Sequence, residues 1–139
     1  MEFLKSFRTI GLILLYALLL TSCSMPMQEG VAWLDTKAVA PKLNVSGTWM
    51  CQEFSMAQLT QEGRDITGAF YGGGLIKGVV SGKSIHLLIY DTDTVIYMAT
   101  LEAVDEKAMK GEYVQAYGYS NDWDNTRRRP ISLVKMPTQ

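Results

Sequence analysis

From position 45 onward, apolar and polar residues alternate in short runs separated by turn residues, and no window carries the i, i+3, i+4, i+7 stripe of an amphipathic helix. Runs rich in β-branched and aromatic residues predict strands over 47–54, 56–61, 65–71, 75–81, 84–90, 94–103, 107–117 and 130–136. The first two are either separate or one bent strand, which makes seven or eight. The connectors Gln61-Glu62-Gly63-Arg64, Gly72-Gly73-Gly74, Gly82-Lys83, Asp91-Thr92-Asp93 and Val104-Asp105-Glu106 are short and rich in Gly and Asp, so consecutive strands pair antiparallel. An open meander of this length leaves two bare edges, and closure removes them. The expected fold class is all-β: an antiparallel up-and-down meander closing into a small barrel over residues 43–139.

Two irregularities refine this expectation. The segments Ile66-Thr67-Gly68-Ala69-Phe70, Ile76-Lys77-Gly78-Val79-Val80 and Met109-Lys110-Gly111-Glu112-Tyr113 share the form apolar, polar, Gly, any, bulky. Glycine inside a strand is unfavourable without a reason, and its usual reasons are a barrel corner or the close approach of another chain segment. Ile85, Leu87 and Ile89 interleave with His86, Leu88 and Tyr90, and Val95, Tyr97, Ala99 and Leu101 with Ile96 and Met98, so some outward faces are apolar too. That excess is expected to pack under the long segment 118–129 or to form a partner surface.

The start of the chain follows another pattern. Lys5 and Arg8 precede an apolar run from Ile10 to Leu20, the basic and hydrophobic regions of a secretory signal helix. Eleven residues fall short of the roughly 20 apolar residues of a membrane-spanning helix, and polar sequence begins at Cys23. Leu20-Thr21-Ser22-Cys23 resembles the lipobox of bacterial prolipoproteins. The resemblance implies cleavage between Ser22 and Cys23, acylation of Cys23, and residence in the cell envelope with the membrane as partner through that lipid. Ser24, where enteric lipoproteins retained in the inner membrane tend to carry Asp, implies the periplasmic face of the outer membrane if the source is Gram-negative. Residues 24–42, with Pro26, Gly30 and Pro41 and no clean periodicity, are expected to form a flexible tether on which Trp33 and Leu34 are the only docking candidates.

Of 139 residues, removal of the first 22, with Lys5, Arg8 and Glu2 among them, leaves 11 basic against 13 acidic side chains. One domain fits this length, and nucleic acid is not an expected partner, because the basic residues form no stripe beyond Arg127, Arg128 and Arg129. If Cys23 carries lipid, Cys51 has no partner within the chain and is expected as a buried free thiol.

Gly47-Thr48-Trp49 opens the first strand and Arg127 to Arg129 precede the last. In this the sequence resembles the lipocalin and avidin-like superfamily, whose barrels are closed at one end by a Gly-x-Trp with a late basic side chain across the indole. The resemblance implies barrel closure by Gly47, Trp49 and one of Arg127, Arg128 and Arg129, and an interior or mouth that takes a small apolar or aromatic molecule. Neither further lipocalin motifs nor a biotin site can be matched residue by residue.

Other chemistry is sparse. Gly82-Lys83-Ser84 lacks the spacing and the following helix of a phosphate-binding loop. Asp91 with Asp93, and Asn121-Asp122-Trp123-Asp124-Asn125, gather oxygen ligands of the kind calcium uses but match no EF-hand loop, so no metal and no cofactor are expected. His86 is the one histidine, on an apolar strand without a visible nucleophile, and no enzyme is expected. Tyr117, Tyr119, Trp123 and Arg127, in the longest connector, are the candidate binding loop, since such residues are enriched at binding hot spots. That loop carries the alternative reading: a protein-binding module such as a periplasmic hydrolase inhibitor, or a structural envelope component.

Overall fold

The computed structural model describes residues 24–116 and 128–138. The signal segment, Cys23, and Tyr117, Tyr119, Trp123, Arg127 and the Asn121 to Asn125 cluster of the candidate loop lie outside the described residues.

Alternation decides the architecture. The elements in chain order are β1 (Met25–Pro26), α1 (Met27–Asp35), β2 (Gly47–Cys51), β3 (Ser55–Glu62), β4 (Asp65–Phe70), β5 (Leu75–Ser81), β6 (Ser84–Asp91), β7 (Thr94–Asp105), β8 (Ala108–Gln115) and β9 (Arg129–Lys135). Each strand from β2 to β9 pairs antiparallel with the next, and β9 returns to pair with β2, so eight strands close into an up-and-down barrel. The pairing of Cys51 with Ser55 separates β2 from β3 and removes the bent-strand alternative. Inward positions from every strand, among them Leu59, Ile66, Ile76, Ile85, Leu87, Leu101, Met109, Ile131 and Leu133, merge into one buried core.

The three repeated glycines face three leucines across the sheet. Gly68 pairs with Leu59, Gly78 with Leu87 and Gly111 with Leu101, and all three leucines are fully buried. A Cβ on Gly68 would lie 2.1 Å from the Gln58 carbonyl oxygen, on Gly78 2.4 Å from that of His86, and on Gly111 1.9 Å from that of Thr100. This is the close approach that the repeat anticipated: small beside large, strand against strand, in a tightly coiled barrel.

The barrel has two distinct ends. At the first lie Trp49 and the turns after β3, β5 and β7; at the second lie the turns after β2, β4 and β6, the end of β8 and the start of β9.

The lead-in corrects the expectation of a flexible tether. Met25 and Pro26 pair with Val95 and Thr94 of β7, α1 lies along the outer wall, and the following residues cross the first end. The apolar outer residues Val79, Leu88, Val95, Met98 and Val114 pack with Met25 and Leu34, so β1 and α1 cover apolar surface on the outer wall. Gly30 is buried because there is no room: a Cβ there would meet Leu88 Cδ1 at 2.8 Å and Val95 Cγ2 at 2.9 Å. The Arg64 guanidinium donates to the Leu34 carbonyl at the end of the helix, 3.2 Å away.

Candidate functional site

Trp49 lies buried in β2 toward the first end. Gly47 holds φ +137°, a conformation open to glycine, at the point where the lead-in turns into β2. The buried Trp49 indole donates through Nε1 to the Val45 carbonyl at 2.8 Å, tying the strand to the strap that precedes it. The strap is fastened again by Gln61, whose Oε1 accepts from the Val45 amide at 2.8 Å and whose Nε2 donates to the Leu43 carbonyl at 3.0 Å. Further along, the Lys42 amide donates to the Gly82 carbonyl at 2.9 Å.

The cation across the indole is Lys135, not an arginine. Lys135 Nζ stands 5.6 Å from the Trp49 ring centroid, and Trp49 and Lys135 are register partners of β2 and β9. The expectation for Arg128 and Arg129 fails on strand direction. β9 runs antiparallel to β2, so its start lies at the far end: Arg129 pairs with Tyr113, and Arg128 makes an exposed ion pair with Glu112 at 3.4 Å. Arg127 lies outside the described residues.

Between the strap and the turn after β7 a mouth of about 330 Å³ remains. Its floor is apolar (Leu43, Val45, Trp49, Ile85, Ala103 and Met109), and Lys42, Lys135, Asp105 and Glu106 stand around it. Below it the barrel is filled by the leucine and isoleucine core. The other end is plugged by an aromatic cluster in which Phe54 meets Phe70, Tyr97 and Tyr113 at centroid distances of 5.2, 5.1 and 4.9 Å. Tyr97 and Tyr113 thus occupy the space that an enclosed ligand would need. A shallower groove of about 970 Å³ runs over the outer face beside Thr48, Met56, Gln58 and Met136.

No family model, no curated protein and no solved structure matches the chain. The eight-stranded antiparallel barrel is consistent with a calycin-like fold on its architecture.

The remaining candidates have local structural employment. His86 points outward from β6 beneath α1, its Nδ1 3.3 Å from Thr100 Oγ1 and its ring edge-on to Trp33 at 5.5 Å. Burial, with a contribution from the nearby Lys37 cation, lowers its pKa to about 4 despite the opposing charge of Glu102. Cys51 is buried, and its Sγ donates to Glu53 Oε2 at 3.4 Å. Burial raises its pKa to about 11. The carboxylates of Asp91 and Asp93 accept from Thr92 and Thr94 hydroxyls at 3.3 Å, and the Asp93 carbonyl accepts from the Met27 amide at 2.8 Å, so this turn anchors the lead-in. Among the described residues no group of three or more His, Cys, Asp or Glu side chains is placed to hold a metal ion, and no helix is long and apolar enough to cross a membrane.

Of the mouth residues, Leu43, Ala103 and Lys135 carry no site signal in the sequence, and Met109 stands out there only within the glycine repeat. Topology places Lys135 instead: in an antiparallel closed barrel, the residue opposite one in the first strand lies near the end of the last strand.

Proposed function

We propose that this chain is a lipid-anchored envelope protein, attached through Cys23, whose barrel binds a small apolar or aromatic molecule at the mouth beside Trp49. In a Gram-negative source its place would be the periplasmic face of the outer membrane. The observation that carries the reading is the 330 Å³ mouth, a concave apolar floor ringed by charged groups, above a barrel whose interior is already full. At about 30 Å³ for each water-sized unit, it has room for on the order of ten heavy atoms. An aromatic ligand would gain contact with Trp49, and an anionic substituent would find Lys42 and Lys135. His86 is engaged with Trp33 beneath α1 and is not among the residues that line the mouth.

The test is native mass spectrometry of residues 24–139 produced in a periplasm, beside an Ala103→Phe variant that fills the mouth. An added mass on the parent, lost on denaturation and absent from a folded Ala103→Phe protein, is the expected result. A clean parent mass, or an adduct that persists in the variant, would overturn the reading.

One observation favours a second reading, a protein-binding module. Ala108, Val134, Met50 and Met56 form a continuous outward row across β8, β9, β2 and β3, with Val134 55% and Met50 43% exposed. Apolar, methionine-rich surfaces of this kind suit protein partners. A clean parent mass would shift the weight to this face.

A further inference from the structure

The outward face of β9, β2 and β3 gathers three sulfur ethers. Met50 and Met56 are direct register partners of β2 and β3. Their neighbours Trp49, Cys51 and Ala57 are buried in the core, so alternation turns both methionines outward, and Met50 is 43% exposed. The third is Met136. Its amide donates to the Thr48 carbonyl at 2.8 Å, which carries the β9 ladder one residue past Lys135. Met136 is 37% exposed, and it lines the outer groove together with Met56.

Facing residues of an antiparallel pair have Cβ atoms about 4.5–5.5 Å apart, and diagonal neighbours lie about 7–8 Å apart, within reach of long side chains. Met50 faces Met56 directly. Met136 stands opposite Thr48, two residues along β2 from Met50, which is the diagonal position. Methionine is unbranched, with three rotatable bonds, so the three sulfur atoms can converge over this face without any movement of the sheet.

A thioether is neutral and polarisable, and it favours soft cations such as Cu(I) over the hard ions that carboxylates and carbonyls hold. Ligands of other kinds are engaged or elsewhere. The Thr48 hydroxyl donates to Gln58 Oε1 at 2.6 Å, so the polar pair of this face satisfies itself. His86 lies beneath α1, and Cys51 is buried within the barrel. Lys107 and Lys135 also line the groove, and their charge repels a divalent ion more strongly than a monovalent one, because Coulomb energy scales with charge. Lys135 is drawn aside toward Trp49, its Nζ 5.6 Å from the ring centroid.

We propose that Met50, Met56 and Met136 form a binding site for a soft monovalent cation, Cu(I), on the outer wall of the barrel. The site is independent of the mouth and of the lipid anchor. It shares Met50 and Met56 with the protein-binding reading, but the requirements differ: a protein partner needs the apolar surface, whereas the ion needs the sulfur atoms.

The test titrates Ag(I), a redox-inert ion of the same charge and softness, into residues 24–139 labelled at the methionine methyl carbons, and follows those methyl groups by NMR. The signals of Met50, Met56 and Met136 are expected to shift together and to stop moving at a single equivalent, while those of the buried Met25, Met98 and Met109 stay in place. Competition with a chromophoric Cu(I) chelator under ascorbate then measures Cu(I) itself. The triple variant Met50→Leu, Met56→Leu, Met136→Leu keeps the apolar face and removes only the sulfur; folded by circular dichroism, it should bind one ion fewer. Cys51 is common to both proteins, so any ion it takes does not enter the difference. Thioethers take up no proton, so affinity should be the same at neutral and mildly acidic pH. Absence of any shift, a shift confined to other methionines, or equal stoichiometry in the folded triple variant would each overturn the site. The methyl shifts of the parent decide the matter even if the triple variant does not fold.

Discussion

Replacing Gly111 by alanine tests whether cross-strand glycine–leucine pairing shapes the barrel. The added Cβ would sit 1.9 Å from the Thr100 carbonyl oxygen and 2.7 Å from Leu101 Cα, both backbone atoms of β7. Neither can rotate away, so β7 and β8 must part by roughly 1 Å in a sheet whose strands ordinarily lie about 4.8 Å apart. Stretching one or two ladder hydrogen bonds forfeits about 1 kcal/mol each, and overpacking adds about 1–3 kcal/mol. Against this, alanine recovers about 0.4–1 kcal/mol by restricting the unfolded chain. The net expectation is a loss of about 2–3 kcal/mol, or a fall in Tm of about 10–20 °C for a domain near 100 residues. Urea unfolding followed by tryptophan fluorescence and thermal scans by circular dichroism would measure it. The control is Gly63→Asn at φ +61°, where nothing lies within 4 Å of an added Cβ and asparagine accepts the left-handed region, so little change is expected. A Gly111→Ala protein within about 0.5 kcal/mol of the parent would refute the reasoning, since a surface substitution changes stability by that much.

Two further predictions concern buried titratable groups. His86 is held neutral in the fold, with a pKa of about 4 against 6.5 in the unfolded chain, so below pH 6.5 the unfolded state binds a proton that the native state does not. Its contribution is complete above pH 6.5 and disappears progressively as pH falls toward 4, a loss of order 2 kcal/mol; urea midpoints from pH 7.5 to 4.5 should show the slope, and a folded His86→Gln variant should flatten it. Cys51, buried and raised to about 11, should resist a thiol reagent at neutral pH and react fully once the chain is unfolded; stoichiometric labelling of native protein lacking Cys23 would contradict its burial.

The strands were legible because their alternation is enforced by a closed wall with one dry side. Ile66, Gly68 and Phe70, or Met109, Gly111 and Tyr113, can only be read with period two, and the structure turns each set inward. α1 was illegible for an equally physical reason. Its contact face is Met27, Gly30, Trp33 and Leu34, whose spacing is helical, but the middle position has to be glycine to clear Leu88 and Val95, so the apolar stripe has a gap. Pro26 precedes it without a side-chain cap, removing the usual start signal. At the Trp49 end the Gly-x-Trp motif and three adjacent arginines are conspicuous in sequence, whereas Lys135 is not. Pairing direction decides between them: Trp49 faces Lys135, and Arg129 faces Tyr113.

The lead-in ties these features together. Its start is fixed to the rim by Met25 and the Met27 amide, its middle is buried by α1 on the outer wall, and its end is stapled across the mouth by Lys42, Leu43 and Val45. Val79, Leu88, Val95 and Met98 are apolar on the outside of the barrel because α1 covers them; without it they would form a contiguous patch facing water. The same segment that supplies one wall of the mouth therefore also connects the mouth to the opposite rim at Met25. One continuous stretch of packed chain thus runs the length of the barrel, from the rim strand at Met25 to the concave apolar floor beside Trp49.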